Sequence, residues 1–365
     1  MTRLTVTAVL PAHNEEEVLP AAIAALRAQT VAPDRILVVS DNSTDATVAV
    51  ARSLGADVME TVGNSHRKAG ALNQALPTVT TQVALVMDAD TTIAATFIEE
   101  ALTTLAERPE VGAVGGVFRG AELPGLLHRF QRNEFERYGV KVAVTERLEV
   151  LTGTASCIRV AALEAVAAAR GVTLPGRPGD YYDRDAITED SELTLALRTL
   201  GYVLVSPPTM VCTTETMPTW GDLHRQRVRW YKGMLDNLRA YGLTRTTARY
   251  VGQQAMLLAG TLVLWLLLAL TAITIALGIF VVIPFWVAVM GIFVIERLLA
   301  VWDQGWRSRL LTALIVPDLV YDVGLQVAYL RAFALFLAGQ DFVWNHVNAA
   351  AVPGASRPAG LELAA

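Results

Sequence analysis

The chain has 365 residues, of which 53% are hydrophobic and 18% charged, and its formal net charge is −5 at pH 7. This length suits one large domain or two ordinary ones, and the negative charge without basic runs argues against nucleic acid as a partner. The two cysteines, Cys157 and Cys212, have neither zinc-like spacing nor a disulfide framework, and we expect buried thiols.

The first third of the chain alternates short apolar runs with amphipathic stretches, which predicts a parallel α/β sheet with helices on both faces. The predicted strands cover residues 5–11, 35–41, 56–62 and 82–88, and the predicted helices cover 15–29, 42–55 and 68–76. The second helix is expected to be capped and to end at Gly55. Ligands of such sheets bind beyond the carboxyl ends of the strands, where the polar segments 11–15, 41–45 and 88–90 fall.

In the middle of the chain, the alternation of apolar runs and amphipathic stretches is less regular. We predict an amphipathic helix over residues 126–145 and a Pro- and Gly-rich loop over 171–190. Residues 151–160 form a stretch of Gly and small hydroxyl residues leading into a short helix. A further helix is expected to end at Gly201, followed by a strand, and a basic amphipathic helix should cover 220–242.

Residues 251–295 contain no Asp, Glu, Lys, Arg or His, which predicts two membrane helices, at about 251–273 and 279–299. A buried hairpin in a soluble protein is the alternative. Arginines on both flanks indicate that the hairpin begins and ends on the cytoplasmic side. We expect an interfacial helix at about 302–315 and a third span at about 318–339, with Asp322, Gln326 and Tyr329 facing protein or a channel.

The resulting domain prediction is a cytoplasmic domain at 1–240, a membrane domain at 241–345 and a disordered tail at 346–365. The apolar run near the N-terminus is too short for a signal peptide. We therefore expect a multi-pass protein of the plasma membrane whose catalytic domain stays in the cytoplasm.

The stretch LVMDADTT ends a predicted strand in two carboxylates, Asp88 and Asp90. A haloacid dehalogenase-type phosphatase would use them as nucleophile and general acid, whereas a metal clamp would hold a divalent cation against a diphosphate. A solvated turn is the third interpretation. The acidic motif over residues 179–185 follows a polar loop rather than a strand, which disfavours the phosphatase.

The segments PAHNEE, SDNSTD, RKAGALN, DAD, ITED and QRVRW occur in this order and precede the apolar helices. In this ordered set the chain resembles the family 2 glycosyltransferases, in particular the membrane synthases of cellulose, hyaluronan, chitin and poly-N-acetylglucosamine. The resemblance covers Val6 to about Arg239. It implies a Rossmann-like catalytic domain of the glycosyltransferase A type followed by C-terminal transmembrane helices.

The resemblance assigns a donor site. Asp88 and Asp90 become the D-x-D pair that holds Mg²⁺ or Mn²⁺ against the diphosphate of a UDP-sugar, and Asp41 binds the uracil. His13 stands where many relatives have Tyr. Further donor contacts are implied for Pro11, Asn14, Glu15, Lys68 and Arg229.

The resemblance also assigns an acceptor side, with Asp190 as the general base. Acceptor contacts are implied for Gly153, Thr154, Ser156, Glu189, Gln226 and Trp230. From the residues alone, Asp190 reads equally as a helix cap, Lys68 as a surface lysine, and the pair Arg229 and Trp230 as a cationic interfacial anchor.

The sequence thus predicts a membrane-bound inverting glycosyltransferase that transfers sugar from a UDP-sugar to a growing β-linked glycan or oligosaccharide. A single-sugar transferase acting on a lipid or protein acceptor is the alternative, and a catalytically inactive membrane subunit belongs to a different class. Because the predicted spans are few, a homo-oligomer or an export partner in the bilayer would complete a conducting path.

Overall fold

The structure is a computed structural model that describes residues 3–145, 148–279 and 282–340. Its first half runs β1 (Val6–Ala12), α1 (Leu19–Arg27), β2 (Arg35–Ser40), α2 (Thr47–Ser53), β3 (Asp57–Glu60), α3 (Arg67–Ala75), β4 (Val83–Met87), β5 (Thr92–Ile93), α4 (Phe97–Glu107), β6 (Val111–Gly115), β7 (Val117–Gly120) and α5 (Leu126–Thr145). Its second half runs β8 (Ala155–Arg159), α6 (Val160–Ala169), α7 (Glu189–Thr199), β9 (Val203–Val205), β10 (Val211–Thr214), α8 (Trp220–Tyr241), α9 (Arg245–Ala276), α10 (Pro284–Ala300), α11 (Trp306–Ala313) and α12 (Val316–Leu337).

The main sheet has seven strands in the order β3-β2-β1-β4-β8-β6-β9. The first four strands in this order are parallel, as predicted, but β8 is antiparallel to both β4 and β6. The α/β class is therefore confirmed, and the expectation of a parallel sheet is corrected to a mixed one. A second sheet, in the order β5-β10-β7, was not predicted.

Strand β8 lies in the segment expected to be a Gly and small-hydroxyl stretch. Ala155 and Cys157 contribute to one face of the sheet and Ile158 to the other, and all three are buried. Burial on both faces removes the alternation of apolar and polar residues that identifies a half-buried strand. Cys157 and Cys212 are both free and buried, as predicted.

The core forms two apolar layers, one on each face of the main sheet. One layer contains Leu19 and Ile23 of α1 with Phe97 of α4, and the other contains Leu72 of α3 with Leu193 of α7. All seven residues of β1 are buried between these layers. The sheet is thereby fixed in position, and its carboxyl edge carries the polar segments predicted to bind ligand.

Helix α2 begins later than predicted. Its N-cap is Ala46, which makes no side-chain capping bond, so the expectation of a capped start is wrong. The acceptor for this end is Asp45, whose Oδ1 receives the N–H of Thr47 at 3.0 Å. Residues 42–45, which were predicted to be helical, therefore lie in the loop at the carboxyl edge of the sheet.

The C-terminal part is helical. Helices α9 and α12 are long and apolar enough to cross a membrane by length and composition, whereas α10 has 17 residues. The acidic residues of α12 face protein: Asp318 is buried, and Arg297 of α10 lies 2.6 Å from Asp322. Helix α12 packs along α8, the helix that follows the two sheets. The tail predicted at 346–365 lies outside the described residues.

Candidate active site

A small crevice with charged and apolar lining residues lies at the carboxyl edge of the sheet, where β4, α3, α7 and the segment before β8 converge. Its depth is lined by Lys68, Val86, Leu151, Thr152, Gly153, Ser156, Ile158, Tyr182, Glu189, Asp190 and Leu193. Five of the site residues predicted from the sequence are among them. Tyr182, which the sequence did not single out, lies in the Pro- and Gly-rich loop.

Lys68 is the centre of this crevice. Its Nζ lies 2.5 Å from Oδ1 of Asp88 and 3.2 Å from Oε1 of Glu189, and it donates to the backbone oxygen of Gly153 at 2.9 Å. Burial opposes the charged form, but the attraction of Asp88 and, next, of Glu189 together outweigh it and raise the pKa of the ammonium. Lys68 is therefore a site residue joining two acidic groups rather than a surface lysine.

Glu189 and Asp190 begin α7 and differ in acidity. Burial, and next the charge of Glu189, raise the pKa of Asp190 to about 6. Burial also acts on Glu189, but Lys68 and Arg229 outweigh it and lower the pKa of that carboxyl. Adjacent carboxylates with pKa values moved apart are typical of an acid–base pair, and the weaker acid is the candidate base.

The N-cap of α7 is Thr188, so Asp190 does not cap the helix. Its Oδ1 accepts the N–H of Ser191 at 2.7 Å, which leaves Oδ2 directed at Gly153. Placement in the first turn favours the carboxylate form, because the helix dipole is positive at this end.

The acceptor-side loop lies close to these acids. Thr154 accepts the backbone N–H of Asp88 at 2.9 Å through its carbonyl, which ties the loop to the end of β4. The hydroxyl of Ser156 is buried and donates to the carbonyl of Thr152 at 2.7 Å. Ser156 thus lines the crevice and supports the loop from within.

Helix α8 brings Arg229 of the QRVRW segment beside the start of α7, whereas Gln226 and Trp230 are not among the residues that line the crevice. Arg229 donates to the carbonyl of Ile187 at 3.2 Å, just before α7. The Oε1 of Gln226 is buried and accepts no hydrogen bond within the described residues. Trp230 is partly exposed, and one ring face lies under the guanidinium of Arg227, whose carbon is 4.2 Å from the ring centroid.

Carboxylates crowd the mouth of the crevice. Burial, and next the charge of Asp90, raise the pKa of Glu15 to about 8. Burial raises the pKa of Asp88 to about 6 although Lys68 opposes it, and burial and Glu215 raise the pKa of Asp90. Glu215 follows β10 and was missed, because the pairing of β10 with the two-residue strand β5 gives no sequence signal.

This crowding is what a divalent cation would relieve, and carboxylate oxygens suit Mg²⁺ and Mn²⁺. Asp88 and Asp90 would supply two ligands. Over residues 3–145, 148–279 and 282–340, no group of three or more His, Cys, Asp or Glu side chains is arranged to hold a metal by itself. A cation here would therefore take further oxygens from a bound ligand or water.

The loops after β1 and β2 interlock beside the crevice. Asn14 has a left-handed backbone (φ 57°), and its Oδ1 accepts the N–H of Thr44 at 2.7 Å. Asp41 is buried, and its Oδ1 accepts from Thr61 at 2.9 Å and Asn64 at 2.7 Å. Pro11 lies inside β1, paired with Val39, so the loop proper begins beyond it.

The Pro- and Gly-rich loop is held by two buried anchors that sequence reasoning missed. Arg170 forms a buried ion pair with Glu192 of α7 at 2.6 Å and donates to the carbonyl of Asp180. Asn73 accepts the N–H groups of Tyr181 and Tyr182 at 2.8 and 2.9 Å. The acidic motif of this loop does not end a strand, which removes a structural requirement of the phosphatase interpretation.

Residues 7–167 match the family model described as glycosyl transferase family 2. The poly-beta-1,6-N-acetyl-D-glucosamine synthase of Staphylococcus aureus (strain COL) is 26% identical over 232 residues, which are 62% of this chain and 54% of that protein. The enzyme of the same name from Staphylococcus epidermidis (strain ATCC 35984) is 25% identical over 229 residues, 62% of this chain and 53% of that protein. The chain thus spans about half the length of the curated relatives it matches.

Among solved structures, the mannosyltransferase PcManGT from Pyrobaculum calidifontis, in complex with GDP-Man and Mn²⁺, superposes with a TM-score of 0.60. The alignment covers 93% of this chain and 89% of that chain at 21% sequence identity. The likeness shows a shared fold. The match of residues 7–167 to the family model confirms, over that part of the chain, the resemblance to family 2 glycosyltransferases on which the sequence interpretation rested.

Proposed function

From the family 2 glycosyltransferase domain at residues 7–167, we propose that this chain is a membrane-bound inverting enzyme using a UDP-sugar. It transfers the sugar to a growing β-linked glycan or oligosaccharide. The names of the staphylococcal relatives make N-acetylglucosamine the first donor sugar to test.

One observation carries this proposal: the ammonium of Lys68 contacts Asp88 at 2.5 Å and Glu189, the neighbour of Asp190, at 3.2 Å. Asp88 belongs to the predicted donor side and Asp190 to the acceptor side. A single lysine therefore spans the gap in which a leaving diphosphate and an attacking hydroxyl have to meet. Such fixed proximity of reacting groups is a main source of catalysis.

In the proposed reaction, an acceptor hydroxyl attacks the anomeric carbon from the side opposite the departing nucleoside diphosphate. Asp190 takes the hydroxyl proton, while Lys68 and the planar fork of Arg229 hold phosphate oxygens. When bound, a Mg²⁺ or Mn²⁺ held by Asp88 and Asp90 would supply Lewis-acid stabilisation of the leaving diphosphate. Asp41 and the loop bearing Asn14 and Glu15 would hold the nucleoside.

In this proposal, the acceptor glycan or lipid-linked sugar binds on the α8 side of the crevice. The partly exposed ring of Trp230 suits the apolar face of a sugar ring, and the buried Oε1 of Gln226 offers an acceptor for a sugar hydroxyl. Gly153 lies against the carboxylate of Asp190, so the acceptor-side loop and the candidate base are in contact.

We further propose that α9, α10 and α12 lie in the bilayer, with the catalytic domain in the cytoplasm. Apolar side chains of α9 and α10 are exposed along most of their length, and Trp302 and Trp306 are exposed at the following turn. The chain should stay with membranes after carbonate extraction. Release of the chain into solution would contradict the membrane proposal but would not bear on the proposal that the chain is a transferase.

The transferase proposal is tested by incubating membranes that contain the chain with radiolabelled UDP-GlcNAc, UDP-glucose, UDP-glucuronate and GDP-mannose, each with Mg²⁺ or Mn²⁺. We expect incorporation from a UDP-sugar and none with an Asp190→Asn control. Sizing the product separates polymerisation from single addition. Two outcomes would overturn the UDP-sugar proposal: incorporation from GDP-mannose alone, and a lack of incorporation from all four donors.

A further inference from the structure

A buried network connects α12 with the face of Trp230, and it involves residues outside the crevice. Arg227 of α8 is 2% exposed, and its Nη2 donates to Oε2 of Glu134 on α5 at 2.8 Å. The hydroxyl of Tyr321, a fully buried residue of α12, donates to the same carboxylate oxygen. Three helices thus meet at one oxygen atom of Glu134.

The guanidinium of Arg227 lies near two aromatic rings. Its carbon lies 4.2 Å from the ring centroid of Trp230 and 5.7 Å from that of Phe135. Burial disfavours its charge, but the carboxylate of Glu134 and weaker contributions from Tyr321 and Tyr231 together outweigh this effect and raise the pKa of the guanidinium. The cation is therefore held in place by Glu134 and by its contact with the ring of Trp230.

Tyr321 is itself fixed. Its ring stacks on Phe130 of α5 with centroids 5.0 Å apart and an interplanar angle of 13°, and Trp220 lies 5.9 Å away. The direction of its hydroxyl is thus set by packing between α5, α8 and α12. Glu134, which is 27% exposed, is held at a defined position by two donors from different helices.

Because Arg227 covers one face of the Trp230 ring, a ligand can stack only on the opposite face. The orientation of that face depends on the position of Arg227, which depends on Glu134 and Tyr321. We propose that Glu134 and Tyr321 are positioning residues for the acceptor sugar, acting through Arg227 on Trp230. This inference rests on the proposed function, in which Trp230 meets the acceptor.

The chain offers a matched control on the same helix. Tyr329 of α12 is buried, and its hydroxyl donates to the carbonyl of Gln254 on α9 at 3.1 Å; within the described part of the chain it makes no hydrogen bond to Arg227 or Glu134. Tyr321→Phe and Tyr329→Phe therefore remove the same atom from the same helix. Glu134→Gln is a second test variant, which keeps the shape of the side chain and removes its charge.

The kinetic experiment uses the full chain in detergent with UDP-GlcNAc and a short β-1,6-linked N-acetylglucosamine oligosaccharide as acceptor. We expect Tyr321→Phe to raise the acceptor KM by about three- to tenfold, the effect of losing one hydrogen bond, and Glu134→Gln to raise it further. The affinity for UDP and the rate of donor hydrolysis should stay within about twofold of the unmodified chain. Tyr329→Phe should change neither. A parallel loss of acceptor and UDP binding would make the network a structural support and overturn the inference.

A second measurement needs no turnover, which separates failure of this inference from failure of the proposed function. The fluorescence of each protein minus that of its Trp230→Phe counterpart isolates the emission of Trp230. Glu134→Gln and Tyr321→Phe should shift this emission, because the cation over the indole moves, whereas Tyr329→Phe should not. An unchanged Trp230 emission in both test variants would overturn the inference even if the chain transferred no sugar.

Discussion

Gly153 packs directly against the carboxylate of Asp190: a β-carbon on Gly153 would lie 3.1 Å from Oδ2 and 3.2 Å from Cβ of that residue. Such distances are closer than ordinary van der Waals contact, so a side chain at this position would displace the carboxylate. The glycine comes from the segment before β8 and the acid from the start of α7. Their contact places the candidate base directly beside the acceptor-side loop.

We predict that Gly153→Ala lowers sugar transfer by about tenfold or more, since small displacements of reacting groups carry large costs in rate. Affinity for UDP, measured by calorimetry, should be unchanged, because the new methyl group points at the acceptor side. Gly221→Ala is the control: its β-carbon would meet nothing closer than 3.6 Å. Equal transfer by Gly153→Ala and the unmodified chain would show that this space is not used.

A second glycine sets the distance between α8 and α7. A β-carbon on Gly233 would lie 2.3 Å from Oγ1 and 2.5 Å from Cγ2 of Thr188, the N-cap of α7. Helix propensity alone predicts that Gly→Ala stabilises α8 by about 1 kcal/mol. We expect the opposite sign, a loss of about 1–3 kcal/mol, because overpacking forces the helices apart. Thermal unfolding checks this, and Gly221→Ala should show the stabilising sign.

The sequence predicted the strands that end at the edge of the candidate site, because β1, β2 and β4 are apolar runs followed at once by polar residues. It did not predict β8, whose two-sided burial leaves no alternation, or the small second sheet, whose strand β5 has two residues. The direction of β8, which is antiparallel to both of its neighbours, was not predicted either. Local pattern identifies a strand, whereas its direction depends on partners far along the chain.

The candidate site also has residues that could be predicted from the sequence and residues that could not. Motif residues such as Lys68 and Asp190 could be named from the sequence, and the structure brings them to one crevice. Their supports could not, since Arg227 and Glu134 are 93 positions apart, and Tyr321 and Glu134 are 187 apart. In its local sequence, each of these residues is typical of a helix and gives no sign of its distant partners. Only the packing of α5, α8 and α12 makes them one network.

Removal of divalent metal should abolish transfer, because Asp88 and Asp90 lie in a crowded acidic mouth that a cation would neutralise. We predict that EDTA stops the reaction and that Mn²⁺ restores it. In Asp90→Asn, Mn²⁺ affinity measured by electron paramagnetic resonance should fall by at least about tenfold. The exposed Asp57, paired with Arg35, provides the control Asp57→Asn. Full activity in EDTA would contradict a metal-dependent reaction.

The pH dependence should have an acid limb set by Asp190, whose pKa is raised to about 6 by burial and then by Glu189. A base accepts a proton only when it is unprotonated, so kcat/KM should be low below this pKa and rise as the pH increases through about 6. Glu189→Gln removes a neighbouring negative charge and should move the limb to lower pH. Glu164→Gln, at an exposed position on α6, should leave it in place. A limb that did not move in Glu189→Gln would assign it to another group.

Asp190→Asn separates a catalytic role from a structural one. The amide oxygen of Asn can still accept the N–H of Ser191, and Thr188 remains the N-cap, so α7 should keep its start and the chain its melting temperature. An amide cannot take the proton of the acceptor hydroxyl at neutral pH, and loss of a general base costs about 10²- to 10⁴-fold in rate. We therefore expect transfer to fall by at least about a hundredfold while UDP affinity stays within about twofold.

The matched control for Asp190→Asn is Ser191→Ala, which removes a buried hydroxyl one residue away that bonds to Thr188 at 2.7 Å. This control should lower stability through the lost hydrogen bond while the chemical step proceeds, because the Asp190 carboxylate is retained. The two variants are thus expected to have opposite profiles, one stable and inactive, the other less stable and active. If Asp190→Asn kept more than a tenth of the transfer rate, the carboxylate would not be the base. The proton would then have to go to another group in the crevice, of which Glu189 is the nearest carboxylate in sequence.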